Sequence, residues 1–323
     1  MKKIKVSYIW GHPNYKELLI PKIIKTFFNF EIIWTKPSES DLLFVGPYKK
    51  FGKIIKKITN KYSFFQSQFF LNFDRGLSLR KEKPITVFYS RENNRKDYEK
   101  ADFSITSDFN YENDPLYIRI PVWKDYCDWS EIGLEKSPIN TLNAQRFGEH
   151  YSLKKLMEPI GTEILKKKAR ICCFFSKLYF PRVEHINLLK KHFQVCEYGP
   201  AFDNQIKSHN HSNFFKKKVM EDFTINYCPE NEIFPGWYTE KIPDAFLGKN
   251  IPLTWADTNI SNDFNNNCFI NLNSFNSDEL DNLFTELQSN EYLSKFLKEP
   301  LLIKNINLEK EIKFCETILK KFI

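Results

Sequence analysis

The chain contains 323 residues with a mass of 38.6 kDa, which is long for one hydrophobic core and predicts two domains. Hydrophobic residues make up 42% of the sequence and aromatic residues 16%, which excludes a chain that is disordered throughout. The formal net charge of +8 is compatible with an anionic partner, such as a nucleotide, a nucleic acid or an acidic membrane surface, and does not decide among them.

Targeting signals and cysteine usage predict a cytoplasmic protein. No stretch approaches the roughly 18 to 20 apolar residues that span a bilayer, and the first residues, 1–6, turn polar too soon for a signal peptide. The 7 cysteines are odd in number and include no C-x-x-C pair, which argues against a disulfide framework and a zinc site. We therefore expect reduced cysteines and a location in the cytoplasm.

Apolar segments of the first half predict strands that alternate with helices. Residues 4–10 predict the first strand, and residues 18–28 have apolar positions at helical spacing. Further strands are predicted at 30–34, 41–47, 85–89, 101–107 and 117–122. The pattern loosens between 129 and 161, so we place the connection between the domains near 150–168.

The second half repeats this alternation. Strands are predicted at 170–175, 195–198, 223–228, 251–255 and 268–272, with helices at 182–192, 278–297 and 309–323. Two βαβ-rich halves predict an α/β fold of two Rossmann-like domains that face each other across a cleft. The predicted domains are 1–155 and 156–305, followed by a C-terminal helix, 306–323, which either packs back on the first domain or contacts anionic lipid.

The segment 226–246 runs from a strand through a loop into a helix, an arrangement typical of ligand sites. Thr239 is predicted to cap the helix through its hydroxyl, and Gly248 stands where the helix should end. A helix N-terminus carries unpaired N–H groups and a partial positive charge, and Lys241 adds a full charge, which together suit a diphosphate. Taken alone, these residues also fit a capped surface helix whose charges are solvated.

The same segment resembles the donor-binding signature of the α-1,3/4-fucosyltransferases of glycosyltransferase family 10. The shared pattern is a strand, Glu230-Asn231, a short loop with an aromatic residue, Thr239-Glu240-Lys241 and a helix with Ala245-Phe246, and it continues through 248–255 and 263–271. In that family the diphosphate lies against the Glu-Lys helix start, the sugar lies near the preceding aromatic residue, and an arginine of an earlier helix contacts the phosphates. The resemblance therefore implies donor-binding roles for Arg182, Glu230, Asn231, Trp237, Tyr238, Thr239, Glu240 and Lys241.

The first half resembles the acceptor domain of the bacterial members of this family. Residues 4–11, 40–45 and 88–93 follow in the same order and at similar spacing. The glutamate of the last motif is the proposed general base of the family, which corresponds to Glu92. Without the resemblance, Glu92 would equally be an ordinary loop carboxylate paired with Arg91 or Arg95. The resemblance implies a GT-B fold, with the acceptor bound by the first domain and the nucleotide sugar by the second.

The activity that the resemblance implies is an inverting transfer of L-fucose from GDP-fucose to a glycan hydroxyl, in an α-1,3-type linkage on lipopolysaccharide or another surface glycan. Because the chain has no Asp-x-Asp motif, we expect no obligatory metal, with cations of the second half stabilising the departing GDP. The expected partners are the nucleotide sugar and the glycan acceptor, with peripheral contact to the inner face of an anionic membrane and no nucleic acid.

Departures from the family pattern keep a second donor open. Pro229 stands where the family has phenylalanine, Glu232 where it has a small residue, and 233–236 replaces the ordinary loop. A transferase for another nucleotide-linked deoxysugar is therefore the first alternative. A basic nucleic-acid-binding protein is the second, and only the net charge favours it, because no recognisable RNA- or DNA-binding motif is present.

Overall fold

The structure, a computed structural model, describes residues 2–11, 15–48, 83–109, 113–137, 142–167, 169–202, 216–304 and 306–322. The chain divides into two compact units. The first unit consists of Met1–Pro121, Gly133–Glu135 and Asn307–Ile323, and the second of Val122–Ile132 and Lys136–Ile306. The predicted boundary at residue 155 differs from this division, because the segment before it packs with the second unit, where the Tyr151 hydroxyl bonds to Asp244.

Each unit contains one parallel sheet. The strands of the first unit are β1 (Lys2–Ile9), β2 (Phe30–Trp34), β3 (Leu42–Val45), β4 (Ile85–Tyr89), β5 (Phe103–Thr106) and β6 (Tyr117–Arg119). Those of the second are β7 (Ala169–Phe174), β8 (Val195–Tyr198), β9 (Phe223–Tyr227), β10 (Ile251–Thr254) and β11 (Ile270–Asn271). The strand orders are β2-β1-β3-β4-β5-β6 and β11-β10-β9-β7-β8.

Helices cover these sheets. They are α1 (Leu19–Phe27), α2 (Leu142–Phe147), α3 (Leu153–Leu156), α4 (Arg182–His192), α5 (Lys216–Met220), α6 (Lys241–Leu247), α7 (Ser277–Glu286), α8 (Asn290–Ser294) and α9 (Glu309–Leu319). Parallel strands are covered on both faces, so the central strands are buried along their length. All residues of β3 and of β9 are buried accordingly.

The C-terminal helix α9 belongs to the first unit. It packs against α1 and β6, and the Phe314 ring meets the Phe103 ring edge-on, with the two centroids 5.8 Å apart. Phe314, Cys315 and Ile318 are buried. The apolar face of this helix is therefore used in packing, which matches the first of the two arrangements that the sequence left open.

The predicted alternation of strands and helices is confirmed, with one helix differing in extent. The apolar spacing at 278–297 predicts one helix, whereas the structure has α7 and α8 in this segment. The break occurs because the Ser289 hydroxyl accepts a hydrogen bond from the Tyr292 N–H at 3.4 Å and so starts a new helix.

Two further sequence expectations concern membranes and thiols. Across the helices that the structure describes, we find none with both the length and the apolar character needed to traverse a bilayer. All 7 cysteines are free, and 6 of them are buried. Six of the cysteines are thus core residues, as predicted, and Cys196 is only half-buried.

Candidate active site

The donor-binding candidates lie at the point where the strand order of the second sheet reverses. The chain proceeds from β7 to β8 on one side and from β9 to β10 and β11 on the other, so β7 and β9 flank the switch point of the sheet. In open parallel sheets, ligands bind outside the carboxyl ends of the strands at this point. The loop 175–181 follows β7 and the loop 228–240 follows β9, so both loops lie at this edge.

A buried carboxylate organises the second of these loops. Glu230 is 2% exposed and accepts hydrogen bonds from the Thr239 N–H at 2.8 Å, from the Thr239 hydroxyl at 2.8 Å and from Lys241 Nζ at 2.7 Å. Lys241 Nζ also donates to Thr239 Oγ1 at 2.8 Å. The three side chains therefore form one closed group in which each is held by the other two.

This group corrects the predicted helix cap. Thr239 is not the cap residue, because its hydroxyl bonds to the Glu230 carboxylate instead of a backbone N–H of α6. The residue at the cap position is Glu240, which has helical backbone angles and makes no side-chain cap hydrogen bond. The predicted helix end is right, since Gly248 is the C-terminal cap residue.

The charge of Lys241 is compensated within the site. Burial lowers the pKa of Lys241, but the carboxylates of Glu230 and Glu240 and the hydrogen bond to Glu230 outweigh burial, so the pKa is raised overall. Lys241 is therefore charged at neutral pH and forms a buried ion pair with Glu230. The sequence predicted a cation free for a diphosphate, whereas two of the three ammonium hydrogens are already engaged.

Arg182 is the uncompensated cation of this edge. It is 3% exposed, and its Nη1 donates to the Lys177 carbonyl at 2.6 Å while Nη2 donates to Asn231 Oδ1 and, at 3.5 Å, to the Pro229 carbonyl. Its guanidinium also lies 4.6 Å from the centroid of the Phe175 ring. Within the described parts of the chain, no carboxylate pairs with Arg182 and its Nε has no hydrogen-bond partner.

Arg182 is therefore a buried positive charge that forms no ion pair among the described residues. Burial lowers the pKa of Arg182, because desolvation disfavours the charged guanidinium, and nearby carboxylates and phenols only partly offset this effect. An arginine keeps its charge in proteins even so. An anion with several oxygens would compensate the positive charge of Arg182 and could accept a hydrogen bond from its unpaired Nε–H.

The other predicted donor residues lie in the same loop. Trp237 is buried, and its indole N–H has no partner among the residues whose positions the structure gives. The buried Tyr238 donates its hydroxyl to Asp257 Oδ1 at 3.2 Å. The Glu240 side chain is partly exposed, and its backbone carbonyl accepts a hydrogen bond from Tyr151 at 3.3 Å. The structure thus brings all eight predicted donor residues to one edge of the second unit.

Helix α6 rests on a polar group that the sequence gave no sign of. Asp244 in α6 accepts hydrogen bonds from the Tyr151 hydroxyl and from Lys216 Nζ, the latter at 2.7 Å. Burial raises the pKa of Asp244, and the adjacent Lys216 ammonium offsets part of that rise. Burial also raises the pKa of Tyr151 far above its usual value, so its hydroxyl stays protonated and donates.

We expect Tyr151→Phe to lower the free energy of unfolding by about 1.5–3 kcal/mol, the range for a hydrogen bond to a charged group. The phenyl ring keeps its packing, so the loss reports the hydroxyl alone. Urea denaturation of the variant measures it, with Tyr98→Phe, whose side chain is exposed, as a control that shifts the midpoint little. A Tyr151→Phe curve that overlays the wild-type curve would contradict this role.

Glu92 lies in the first unit, just after the carboxyl end of β4. Its side chain is exposed, and its Oε1 accepts a hydrogen bond from the Tyr48 hydroxyl. Burial raises the pKa of Tyr48, and the Glu92 carboxylate raises it further, so Tyr48 remains a donor. Arg95 is paired with the buried Asp108, so the predicted alternative of a Glu92–Arg95 pair is not what the structure shows.

Tyr48 is a candidate that sequence analysis missed. It follows the Gly46-Pro47 breaker at the end of β3, so it lies at a strand exit like Glu92, and that signal could have found it. The ranges that the structure describes contain no group of three or more His, Cys, Asp or Glu side chains arranged to hold a metal ion.

Two parallel-sheet α/β units, with the polar groups collected at the carboxyl ends of the strands, define a GT-B-type fold. Solved structures share it: the chain matches the crystal structure of alpha1,3-fucosyltransferase with GDP-fucose with a TM-score of 0.66 and 20% identity, over 99% of this chain and 91% of that chain. A second crystal structure of alpha1,3-fucosyltransferase gives a TM-score of 0.66 and 22% identity over 99% and 90%.

Sequence comparisons agree with the structural likeness. Residues 164–317 match the family model of glycosyltransferase family 10 (fucosyltransferase), C-terminal part. The chain is 24% identical to the alpha-(1,3)-fucosyltransferase FucT of Helicobacter pylori, over 98% of this chain and 66% of the relative. It is 29% identical to the mouse 4-galactosyl-N-acetylglucosaminide 3-alpha-L-fucosyltransferase 9, over 43% and 39%. Residues 164–317 thus match the glycosyltransferase family 10 model, which confirms the predicted resemblance, and the chain spans slightly under two thirds of the length of its Helicobacter pylori relative.

Proposed function

We propose that the chain is an inverting fucosyltransferase that moves L-fucose from GDP-fucose to a hydroxyl of a glycan acceptor in an α-1,3-type linkage. The observation that carries this proposal is the buried, uncompensated Arg182 beside the Glu230–Lys241 pair at the switch point of the second sheet. The names of the relatives support the donor and the linkage, since they are α-1,3-fucosyltransferases and one of the matched structures contains GDP-fucose.

On the donor side, the site stabilises negative charge on the departing diphosphate. Arg182 and Lys241 contribute two positive charges, and the Glu230 carboxylate is ion-paired with Lys241 but not with Arg182. The free Arg182 Nε–H and the third ammonium hydrogen of Lys241 are the donors left for phosphate oxygens. Because these groups are fixed by the fold, they need little reorganisation when the charge develops.

On the acceptor side, Glu92 removes the proton. The acceptor oxygen forms a bond to the anomeric carbon while the bond from that carbon to the diphosphate oxygen breaks, so configuration inverts and GDP leaves with the electron pair. The proton of the acceptor hydroxyl passes to the Glu92 carboxylate, whose Oε2 remains for this role while Oε1 is held by Tyr48. General base catalysis of this kind contributes about 10²- to 10⁴-fold to the rate.

The finer assignments belong to the same proposal and rest on the sequence. They are a lipopolysaccharide or other surface glycan as acceptor, a bacterial and cytoplasmic setting, and peripheral contact with an anionic membrane. Because the apolar face of α9 is buried, the proposed membrane contact is electrostatic, through the exposed Lys310 and Lys313. The alternative of a nucleic-acid-binding protein gains nothing from the site, since Arg182 and Lys241 are inward-facing cations.

Another nucleotide-linked deoxysugar remains the rival donor. The altered positions Pro229 and Glu232 and the loop 233–236 directly precede Trp237, next to which the family resemblance puts the sugar. A screen of GDP- and UDP-linked sugars for release of the nucleotide distinguishes GDP-fucose from another nucleotide-linked deoxysugar as the donor. Turnover of GDP-fucose alone supports the proposal, and turnover of a different sugar with none of GDP-fucose contradicts it.

We expect Glu92→Gln to lower kcat about 10²- to 10⁴-fold with GDP-fucose and a lactosamine-type acceptor, because the amide cannot accept the proton. The dissociation constant for GDP should stay at the wild-type value, since Glu92 belongs to the first unit and the donor residues to the second. Asp97→Asn, an exposed carboxylate near Glu92, is the matched control and should keep the wild-type rate. A Glu92→Gln enzyme as fast as the wild type would rule out the base.

A further inference from the structure

An exposed apolar turn stands next to Arg182. Leu178, Tyr179, Phe180 and Val183 are large apolar side chains that all face solvent, with Tyr179 46% and Phe180 70% exposed. Contiguous exposed apolar surface is unfavourable in water and marks a binding site when it is large. We call residues 178–183 the aromatic turn.

The aromatic turn is held in a defined position. The Tyr179 carbonyl accepts a hydrogen bond from the Arg182 N–H at 2.8 Å, which closes the turn directly before α4. The Phe180 ring meets Trp255 edge-on, with centroids 6.1 Å apart, and Trp255 follows the carboxyl end of β10. The Arg182 guanidinium lies 5.9 Å from the centroid of the Tyr179 ring. The exposed rings are therefore fixed at the same strand ends as the anion site.

A nucleoside diphosphate has the two chemical features that this surface lacks. Its phosphates supply the negative charge that would compensate Arg182, and its base is a flat aromatic face able to cover exposed rings. In the nucleotide one ribose links the phosphates to the base. In the protein the turn 179–182 links the exposed rings to Arg182. The exposed Lys177 adds a donor beside Tyr179, with its Nζ 5.5 Å from the ring centroid, where base carbonyl and ring-nitrogen acceptors would lie.

We propose that the aromatic turn is the platform for the nucleobase of the donor, with a purine base stacked on Tyr179 and Phe180 while the diphosphate lies at Arg182. This assignment rests on the proposed function, since it requires a nucleotide-linked donor. It adds a site for the base, which the charged residues alone leave undefined. A purine offers a larger stacking face than a pyrimidine, so the platform favours GDP over UDP.

Calorimetric titration of wild type and variants with GDP, UDP and pyrophosphate tests the platform. Tyr179→Ala and Phe180→Ala should each weaken GDP binding between about 5- and 140-fold, the range found for loss of base–aromatic stacking. Pyrophosphate, which has no base, should bind all variants as it binds the wild type. Phe27→Ala removes a ring in the first unit that is 45% exposed, close to the 46% of Tyr179, and should leave every affinity within about twofold.

Several outcomes would overturn the platform. Unchanged GDP affinity in a Tyr179→Ala/Phe180→Ala double variant would refute it alone and leave the proposed function standing. Equal weakening of GDP and pyrophosphate would assign the turn to shaping Arg182. Binding of wild type, but not of the double variant, to phosphatidylglycerol vesicles with intact GDP affinity would make the turn a lipid contact. A wild type that binds neither GDP nor UDP would refute both the platform and the proposed function.

Discussion

Lys241→Met is expected to lower the free energy of unfolding by about 3–5 kcal/mol and to abolish donor binding. The reason is the carboxylate that it leaves behind: Glu230 is 2% exposed, and without Lys241 it would be a buried, unpaired charge. The remaining donors, the N–H and hydroxyl of Thr239, are neutral and compensate only part of that charge. Nucleotide binding is lost as well, because the phosphates lose the Lys241 ammonium and meet the unpaired Glu230 carboxylate instead.

Glu230→Gln/Lys241→Met separates the two effects. A neutral glutamine can still accept from Thr239, so the double variant should recover most of the lost stability, while its transfer activity stays far below that of the wild type because the Lys241 ammonium is still missing. Urea denaturation and the transfer assay measure both. Lys166→Met, which breaks the exposed Lys166–Glu163 pair, is the control and should cost less than about 1 kcal/mol. Equal stability of wild type and Lys241→Met would show that the pair is not buried as described.

The fold could be predicted from the sequence because its strands are strong local signals. The strands at 30–34, 85–89 and 195–198 are found at the predicted bounds, since each is rich in β-branched or aromatic residues and ends at a polar or turn-forming residue. Helix ends are weaker signals. The apolar spacing at 278–297 continues across Ser289, so periodicity alone could not show that this serine starts a second helix.

The sequence predicted which residues form the donor site but not which hydrogen bonds join them. The family pattern located the Glu230–Lys241 segment, yet the hydroxyl of Thr239 could not be assigned from local rules, because its partner Glu230 is nine residues away and competes with the helix N-terminus. Tyr151 and Lys216 were missed for a related reason. Both reach Asp244 over long separations in the chain, and no local pattern encodes such contacts.

Lys241 and Arg182 differ in whether a carboxylate pairs with them, and this difference separates their contributions to stability and to binding. Lys241 is paired with a carboxylate of its own loop, so it contributes to the stability of the unliganded protein. Arg182 has only neutral hydrogen-bond acceptors among the described residues, so nearby carboxylates and phenols offset its desolvation only in part. Groups that are unsatisfied until a ligand arrives are where binding and stability oppose each other.

Arg182→Met is therefore expected to abolish GDP binding while leaving the free energy of unfolding within about 1 kcal/mol of the wild type. Removing the guanidinium ends the desolvation of a buried charge, which offsets the loss of its hydrogen bonds to neutral acceptors. Wild type at a GDP concentration of 100 times its dissociation constant should gain about 2.7 kcal/mol of stability, and the variant should gain none. We expect kcat/KM to fall at least 10²- to 10³-fold.

Thermal and urea denaturation with and without GDP measure this contrast with Lys241→Met. Arg146→Met, the same change at an exposed arginine of the second unit, should keep the full gain from GDP. Arg182→Lys keeps the charge but lacks the planar fork, so it should bind GDP more weakly than the wild type and more tightly than Arg182→Met. If Arg182→Met unfolded as readily as Lys241→Met, the arginine would be a structural element of the fold, and the anion site would have to lie elsewhere.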